Sequence, residues 1–206
     1  MIKPHLRNGQ AFSGLTIGLL GGSFNPAHDG HLAMSLYALK QLGLDQVWWL
    51  VSPQNPLKSS DDMATLERRK QSAQKLALHP RLSVTCIESE LGTRYTADTL
   101  RMLKRRFPGV RFVWLMGADN LRQIPHWKDW QTIFRVVPVA VFHRPGFAAG
   151  RGIGNAAIRF GKSLQNASKG KIIAHLSQKG LPAWTLLDNK LNYISATKIR
   201  KDNPAW

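Results

Sequence analysis

Five apolar runs punctuate the first 142 residues, each followed by a segment long enough to form a helix. Leu15–Leu20, Gln46–Val51, Arg111–Met116 and Pro138–Phe142 are apolar almost throughout, and Leu82–Ile87 is interrupted only by Ser83 and Thr85. Strands of a parallel sheet, buried on both faces, read this way. The segments between them predict helices at His31–Leu42, Asp61–Leu78, Thr96–Phe107 and Asp129–Arg135. Asp61 and Asp62 would start the second helix and His79-Pro80 end it. Thr96 would cap the third, which Pro108-Gly109 terminates. The alternation predicts an α/β fold: a single doubly wound, Rossmann-like domain with a mainly parallel sheet and helices on both faces. Residues 1–14 read as a polar extension with little order, leaving 15–206 as the domain. Gly146–Asn189 is rich in Gly, Ala, Ser and Lys and has no clear amphipathic pattern. It suggests short strands at Lys171–His175 and Trp184–Leu187, and a loop suits the rest as well as a helix does.

Ligands of doubly wound sheets bind beyond the carboxyl ends of the strands. The loops after Leu20, Val51, Met116 and Phe142 would therefore bring Ser23, His28, Lys58, Asp119 and Arg144 to one cleft. The first loop, within Gly18-Leu-Leu-Gly-Gly-Ser-Phe-Asn-Pro-Ala-His-Asp-Gly-His31, joins a strand to a helix start through a glycine turn. Gly21 and Gly22 allow close backbone approach, and the N–H groups of a first helical turn favour phosphate. If the helix has begun by His28, then His28 and His31 share one face, and Gly30 leaves the space between them open. They would be two donors aimed at one phosphoryl group. A shuffled chain of this composition would contain H-x-G-H about twice in a hundred, so position carries the reading more than spacing does. The alternative is that His28 caps the helix while His31 packs or faces solvent. Near the other end, Ile194-Ser-Ala-Thr-Lys-Ile-Arg200 offers hydroxyls at Ser195 and Thr197 to cap a short helix, and the forked guanidinium of Arg200 to hold phosphate oxygens. In isolation it would be only a capped terminal helix.

Composition narrows the partners. With 29 Lys and Arg against 12 Asp and Glu, the net charge of +17 suits polyanions such as nucleotides, nucleic acid or an anionic membrane, or simply gives a basic surface. Cys86 is the only cysteine, which excludes an intrachain disulfide framework and any site of several thiolates. No carboxylate cluster suits a dedicated metal cage, so no metal ligands are assigned. No apolar segment approaches a membrane span, and Met1–Ser13 lacks the apolar core of a signal peptide, so the cytoplasm is expected. The tryptophans lie mostly in apolar runs, which suits a core better than a stacking platform. A basic nucleic-acid-binding protein is therefore the less favoured class. The glycines at 18, 21 and 22 miss the G-x-G-x-x-G register of a dinucleotide oxidoreductase.

Taken together, Gly21–His31 and Ile194–Arg200 resemble the nucleotidyltransferase superfamily marked by H-x-G-H and I-S-S-T-x-I-R. Further stretches resemble its bacterial nicotinate mononucleotide adenylyltransferase family. They are Ser52-Pro-Gln-Asn-Pro-Leu-Lys58, Arg94-Tyr-Thr-Ala-Asp-Thr-Leu100, Met116-Gly-Ala-Asp-Asn-Leu121 followed by His126-Trp-Lys-Asp-Trp130, and His143-Arg-Pro-Gly146. The resemblance spans Leu15–Gly146 and then only the final motif. Ala196 departs from it, standing where the pattern has Ser. It implies transfer of AMP from ATP to nicotinate mononucleotide in NAD biosynthesis, with Mg2+ carried on ATP. His28, His31 and Arg200 would be catalytic. Gly21, Gly22, Ser23, Phe24, Asp119, Ser195 and Thr197 would join them in binding ATP. Asn55, Lys58, Tyr95, Thr96, Trp127 and Arg144 would receive the acceptor. Asp119 could instead be a strand-end turn former, Trp127 a core residue and Lys58 a solvated one. The nearest rivals are a phosphopantetheine adenylyltransferase and a relative preferring nicotinamide mononucleotide. Association with further copies of the chain is left open.

Overall fold

The computed structural model describes residues 10–53, 63–142, 154–169, 171, 180–188 and 199–200. Its strands are β1 (Thr16–Gly22), β2 (Gln46–Val51), β3 (Leu82–Thr85), β4 (Arg111–Gly117), β5 (Val139–Phe142), β6 (Leu164–Gln165) and β7 (Trp184–Leu187). They form one sheet in the order β3-β2-β1-β4-β5-β7-β6, with every neighbouring pair parallel. The helices are α1 (Asp29–Gln41), α2 (Leu66–Leu76), α3 (Ile87–Leu91), α4 (Thr96–Arg106), α5 (Ala118–Gln123), α6 (Trp130–Val136) and α7 (Gly154–Arg159). The expected doubly wound sheet is present.

The continuous apolar runs exist because each strand feeds two cores. Ile17, Leu19, Trp48, Leu50, Phe112, Trp114 and Met116 point to one face, where Leu100, Leu103, Leu121, Ile133 and Phe134 cover them. Leu20, Val47, Trp49, Val51, Val113 and Leu115 point to the other, beneath Met34, Ala38, Leu39 and Ala73. Successive side chains on a strand alternate faces, so a strand covered on both sides buries nearly every position, the small hydroxyl residues Thr16, Ser83, Thr85 and Thr185 included.

Several boundaries differ from expectation. Phe12 is 1% exposed and packs edge-on against Trp48 at 5.1 Å, so the expected polar extension 1–14 already belongs to the core at its end. Residues 1–9 lie outside the described residues. Helix α2 starts at Leu66 because Thr65 accepts the Arg68 N–H at 3.3 Å as its cap. Strand β3 stops at Thr85, and Cys86 leads into α3, which ends at Gly92 with φ of 65°. Thr96 is the first residue of α4, not its cap, since Tyr95 holds the extended backbone that a cap requires. In the Gly146–Asn189 segment, α7, β6 and β7 are formed, and the expected strand at Lys171–His175 falls almost wholly outside the described residues.

Candidate active site

Strand order reverses between β1 and β4, and that is where the glycine turn leads. A cavity of about 70 Å3 opens there, lined by Leu20, Gly21, His28, Gly30, His31, Met34, Gly117, Asp119 and Asn120. A second, of about 340 Å3, lies on the other side of His28, between Ala27, Asp29, Ser72, Lys75, Leu76 and Ile199. His28 thus stands between the two.

The histidines meet by a different route from a shared helical face. The helix begins at Asp29, and His28 sits before it with extended backbone (φ −149°, ψ 166°). His28 N–H donates to Nδ1 of His31 at 3.2 Å, and the two ring centroids are 3.9 Å apart. A ring nitrogen that accepts carries no proton, so the proton of a neutral His31 is on Nε2. Behind the ring, Trp49 Nε1–H donates to Ser35 Oγ at 2.8 Å, and that hydroxyl donates to the His31 carbonyl at 2.7 Å.

Phe24 does not line the cavity with its side chain. Its ring is 1% exposed, stacked on Trp49 at 5.2 Å and 4.7 Å from the His31 ring. Its φ of 47° is left-handed, a conformation that costs a bulky residue about 1–3 kcal/mol. Both flanking carbonyls are gripped: Arg69 Nη1 donates to Ser23 O at 2.7 Å and Arg200 Nη1 to Asn25 O at 2.5 Å. The expected meeting of the Arg200 segment with the glycine turn is seen in that bond. Gly21 has a packing reason beyond phosphate approach, since a Cβ there would come 2.4 Å from the indole of Trp114.

A second cluster gathers at the starts of α4 and α6. Lys128 Nζ sits 4.5 Å above the Tyr95 ring, and Arg101 bridges to Asp129 at 2.5 Å. That bond holds the Asp129 carboxyl below its ordinary range. In parallel crossovers the helix starts face the carboxyl ends of the strands, so Tyr95 and Thr96 lie on the edge of the sheet that holds the cavity. Trp127 is half-buried and packs against the core. Asn55, Lys58, Arg144, Ser195 and Thr197 lie outside the described residues. Among the described residues no group of three or more His, Cys, Asp or Glu could hold a metal, and no helix is long and apolar enough to cross a membrane.

Three residues without an expected role hold the site together. Asn25 Oδ1 accepts the Ala64 N–H at 3.2 Å, tying the glycine turn to the segment before α2. Among the described residues Arg69 bonds only backbone carbonyls. Glu88, 7% exposed, bonds the hydroxyls of Ser52 and Thr99, and its burial pushes its pKa up to about 7. A carboxyl that binds its proton more tightly when folded loses stability as pH rises from its unfolded pKa, ordinarily 4.5, through about 7. Above that window the cost is on the order of 3 kcal/mol. Glu88→Gln keeps the side-chain shape without the charge, so its melting temperature should gain on wild type between pH 5 and pH 8. An offset equal at both pH values would contradict the assignment.

Residues 19–202 match the cytidylyltransferase-like family model. A protein of Parvibaculum lavamentivorans named "Probable nicotinate-nucleotide adenylyltransferase" is 52% identical over 188 residues, 91% of this chain and 92% of that one. One of the same name from Cereibacter sphaeroides is 48% identical over 90% of this chain and 96% of that one. The chain belongs to the nicotinate-nucleotide adenylyltransferase family. A solved structure, the Plasmodium falciparum nicotinic acid mononucleotide adenylyltransferase complexed with NaAD, shares the family's fold with it. The TM-score is 0.67 at 16% identity, over 90% of this chain and 82% of that one. The same enzyme complexed with APC gives a TM-score of 0.66. Family membership makes the nucleotidyltransferase fold and the H-x-G-H turn one assignment. Among the described tryptophans, Trp48, Trp49, Trp114 and Trp184 are buried, as their place in apolar runs indicated, and Trp127 and Trp130 pack on the core.

Proposed function

We propose that this protein transfers AMP from ATP to nicotinate mononucleotide, releasing pyrophosphate and nicotinate adenine dinucleotide. The observation that carries the reading is the imidazole pair at the start of α1, set on the cavity at the strand-order reversal. It stands beside relatives named for this activity over nine-tenths of the chain.

The acceptor phosphate is already an anion at neutral pH, so the reaction needs neither a strong base nor an enzyme nucleophile. An acceptor oxygen forms a bond to the α-phosphorus of ATP as the bond from that phosphorus to the bridging oxygen of pyrophosphate breaks. Negative charge builds on the α-phosphate and on the leaving pyrophosphate. Nε2–H of His31, with its tautomer set by the His28 N–H, donates to that charge; His28 stands beside it. Arg200, with Ser195 and Thr197, holds the β- and γ-phosphates. Asp119, in the cavity, accepts from the ATP ribose. Lys58 and Arg144 hold the acceptor phosphate, assisted by Asn55, while Tyr95, Thr96 and Trp127 receive the pyridine ring and its carboxylate. Mg2+ arrives on the triphosphate and neutralises part of its charge. The substrates are metabolites of the cytoplasm, which fits a cytoplasmic protein.

Pyrophosphate release from Mg-ATP, compared across nicotinate mononucleotide, nicotinamide mononucleotide and phosphopantetheine, tests the acceptor. The highest kcat/KM should belong to nicotinate mononucleotide. An inert nicotinate mononucleotide, or a preference for phosphopantetheine, would reject the reading.

A further inference from the structure

Arg69 is 1% exposed on α2, and no carboxylate among the described residues pairs with it. Its guanidinium is spent on backbone carbonyls of three separate segments. Nε donates to Ala64 O at 2.8 Å, Nη1 to Ser23 O and Ser52 O at 2.7 Å each, and Nη2 to Pro53 O at 3.0 Å. Ser23 belongs to the glycine turn after β1, immediately before the left-handed Phe24 that underlies His31. Ser52 and Pro53 follow β2 and lead into the stretch carrying Asn55 and Lys58. Burying a cation without an acid partner is costly, and burial lowers the pKa of this one. The rigid fork of arginine reaches carbonyls in several directions from one centre, which a lysine ammonium on a flexible stem does not reproduce.

We infer that Arg69 is a positioning residue that locks the ATP-side turn and the acceptor-side loop to each other, so that both nucleotide sites depend on one guanidinium. The inference rests on the proposed adenylyl transfer for its acceptor half only. Its ATP half rests on the Ser23–Phe24–His31 contacts. Removing the fork frees both loops at once, and the affinities for the two nucleotides fall together.

The test uses the full chain carrying Arg69→Lys or Arg69→Gln, so that one folded variant suffices, with Leu82→Ala as a control. Leu82 is buried at the start of β3, away from both loops, and its loss lowers stability without touching either. Circular dichroism establishes folding. The folded Arg69 variants should show KM for ATP and KM for nicotinate mononucleotide each raised about tenfold, and kcat lowered by a similar factor. Leu82→Ala should melt earlier with both KM values unchanged. A folded Arg69 variant whose two KM values stay within about twofold of wild type overturns the inference, as does a control that shifts them equally. The Kd of a non-hydrolysable ATP analogue, measured without acceptor, separates this from the proposed function. A wild type inert toward nicotinate mononucleotide defeats the function, whereas an unchanged analogue Kd in the Arg69 variants defeats the inference.

Discussion

His31→Ala is expected to lower kcat by about 10²–10³-fold, the usual consequence of removing a preorganised donor from developing phosphate charge. The KM for the acceptor should change little, because Nε2–H acts where charge grows in the transition state and not where the ground-state acceptor binds. Loss of the ring also removes its contacts with Phe24 and the bond from His28 N–H. Those contacts are local and His31 itself is only half-buried, so the variant should stay folded. His31→Gln places an amide near the position of Nε2 and should recover part of the rate. Steady-state kinetics with a melting curve decide the matter: a folded His31→Ala variant with near-normal kcat would remove His31 from the chemistry.

Arg200→Ala should lower kcat/KM for ATP by about 10- to 100-fold, the range expected for loss of charge-assisted hydrogen bonds. Two effects combine. A donor to the triphosphate is lost, and so is the bond to Asn25 O that grips the turn just after Phe24. Arg200→Lys keeps charge but loses the planar fork, so it should restore ATP affinity only in part. Titration of ATP at saturating acceptor reads this directly. Equal ATP KM in wild type and Arg200→Ala would show that the terminal motif does not reach the nucleotide.

What was legible in the chain followed from strong local signals. Gln46–Val51 and Trp184–Leu187 are strands with the ends their apolar runs indicated, because a strand covered on both faces is apolar at most positions and its limits stand out from the polar flanks. The glycine turn, the histidine pair and Asp119 could be placed in one cleft because they stand at strand ends in a parallel sheet. Helix α3 was not legible, since a five-residue helix has no period to display. Phe12 was hidden among polar neighbours, and its burial depends on the distant Trp48 and Phe107. Arg69 did leave a trace. Leu66, Arg69, Ala73 and Leu76 form the inward stripe of α2, and an arginine inside an apolar stripe signals a buried polar network. Which carbonyls it holds depends on three loops that approach only in the fold. Glu88 left none, because Ser52 and Thr99, which it bonds, come from other elements.

The reaction proposed for this protein is direct transfer of the adenylyl group between two phosphates. It is tested by incubating the protein with ATP labelled at the α-phosphorus, Mg2+ and nicotinate mononucleotide, then separating the products. Label should accumulate in nicotinate adenine dinucleotide, in equal amount with unlabelled pyrophosphate, and none should be trapped on the protein. Label recovered as free AMP or ADP without dinucleotide, or covalently on the chain, would contradict it.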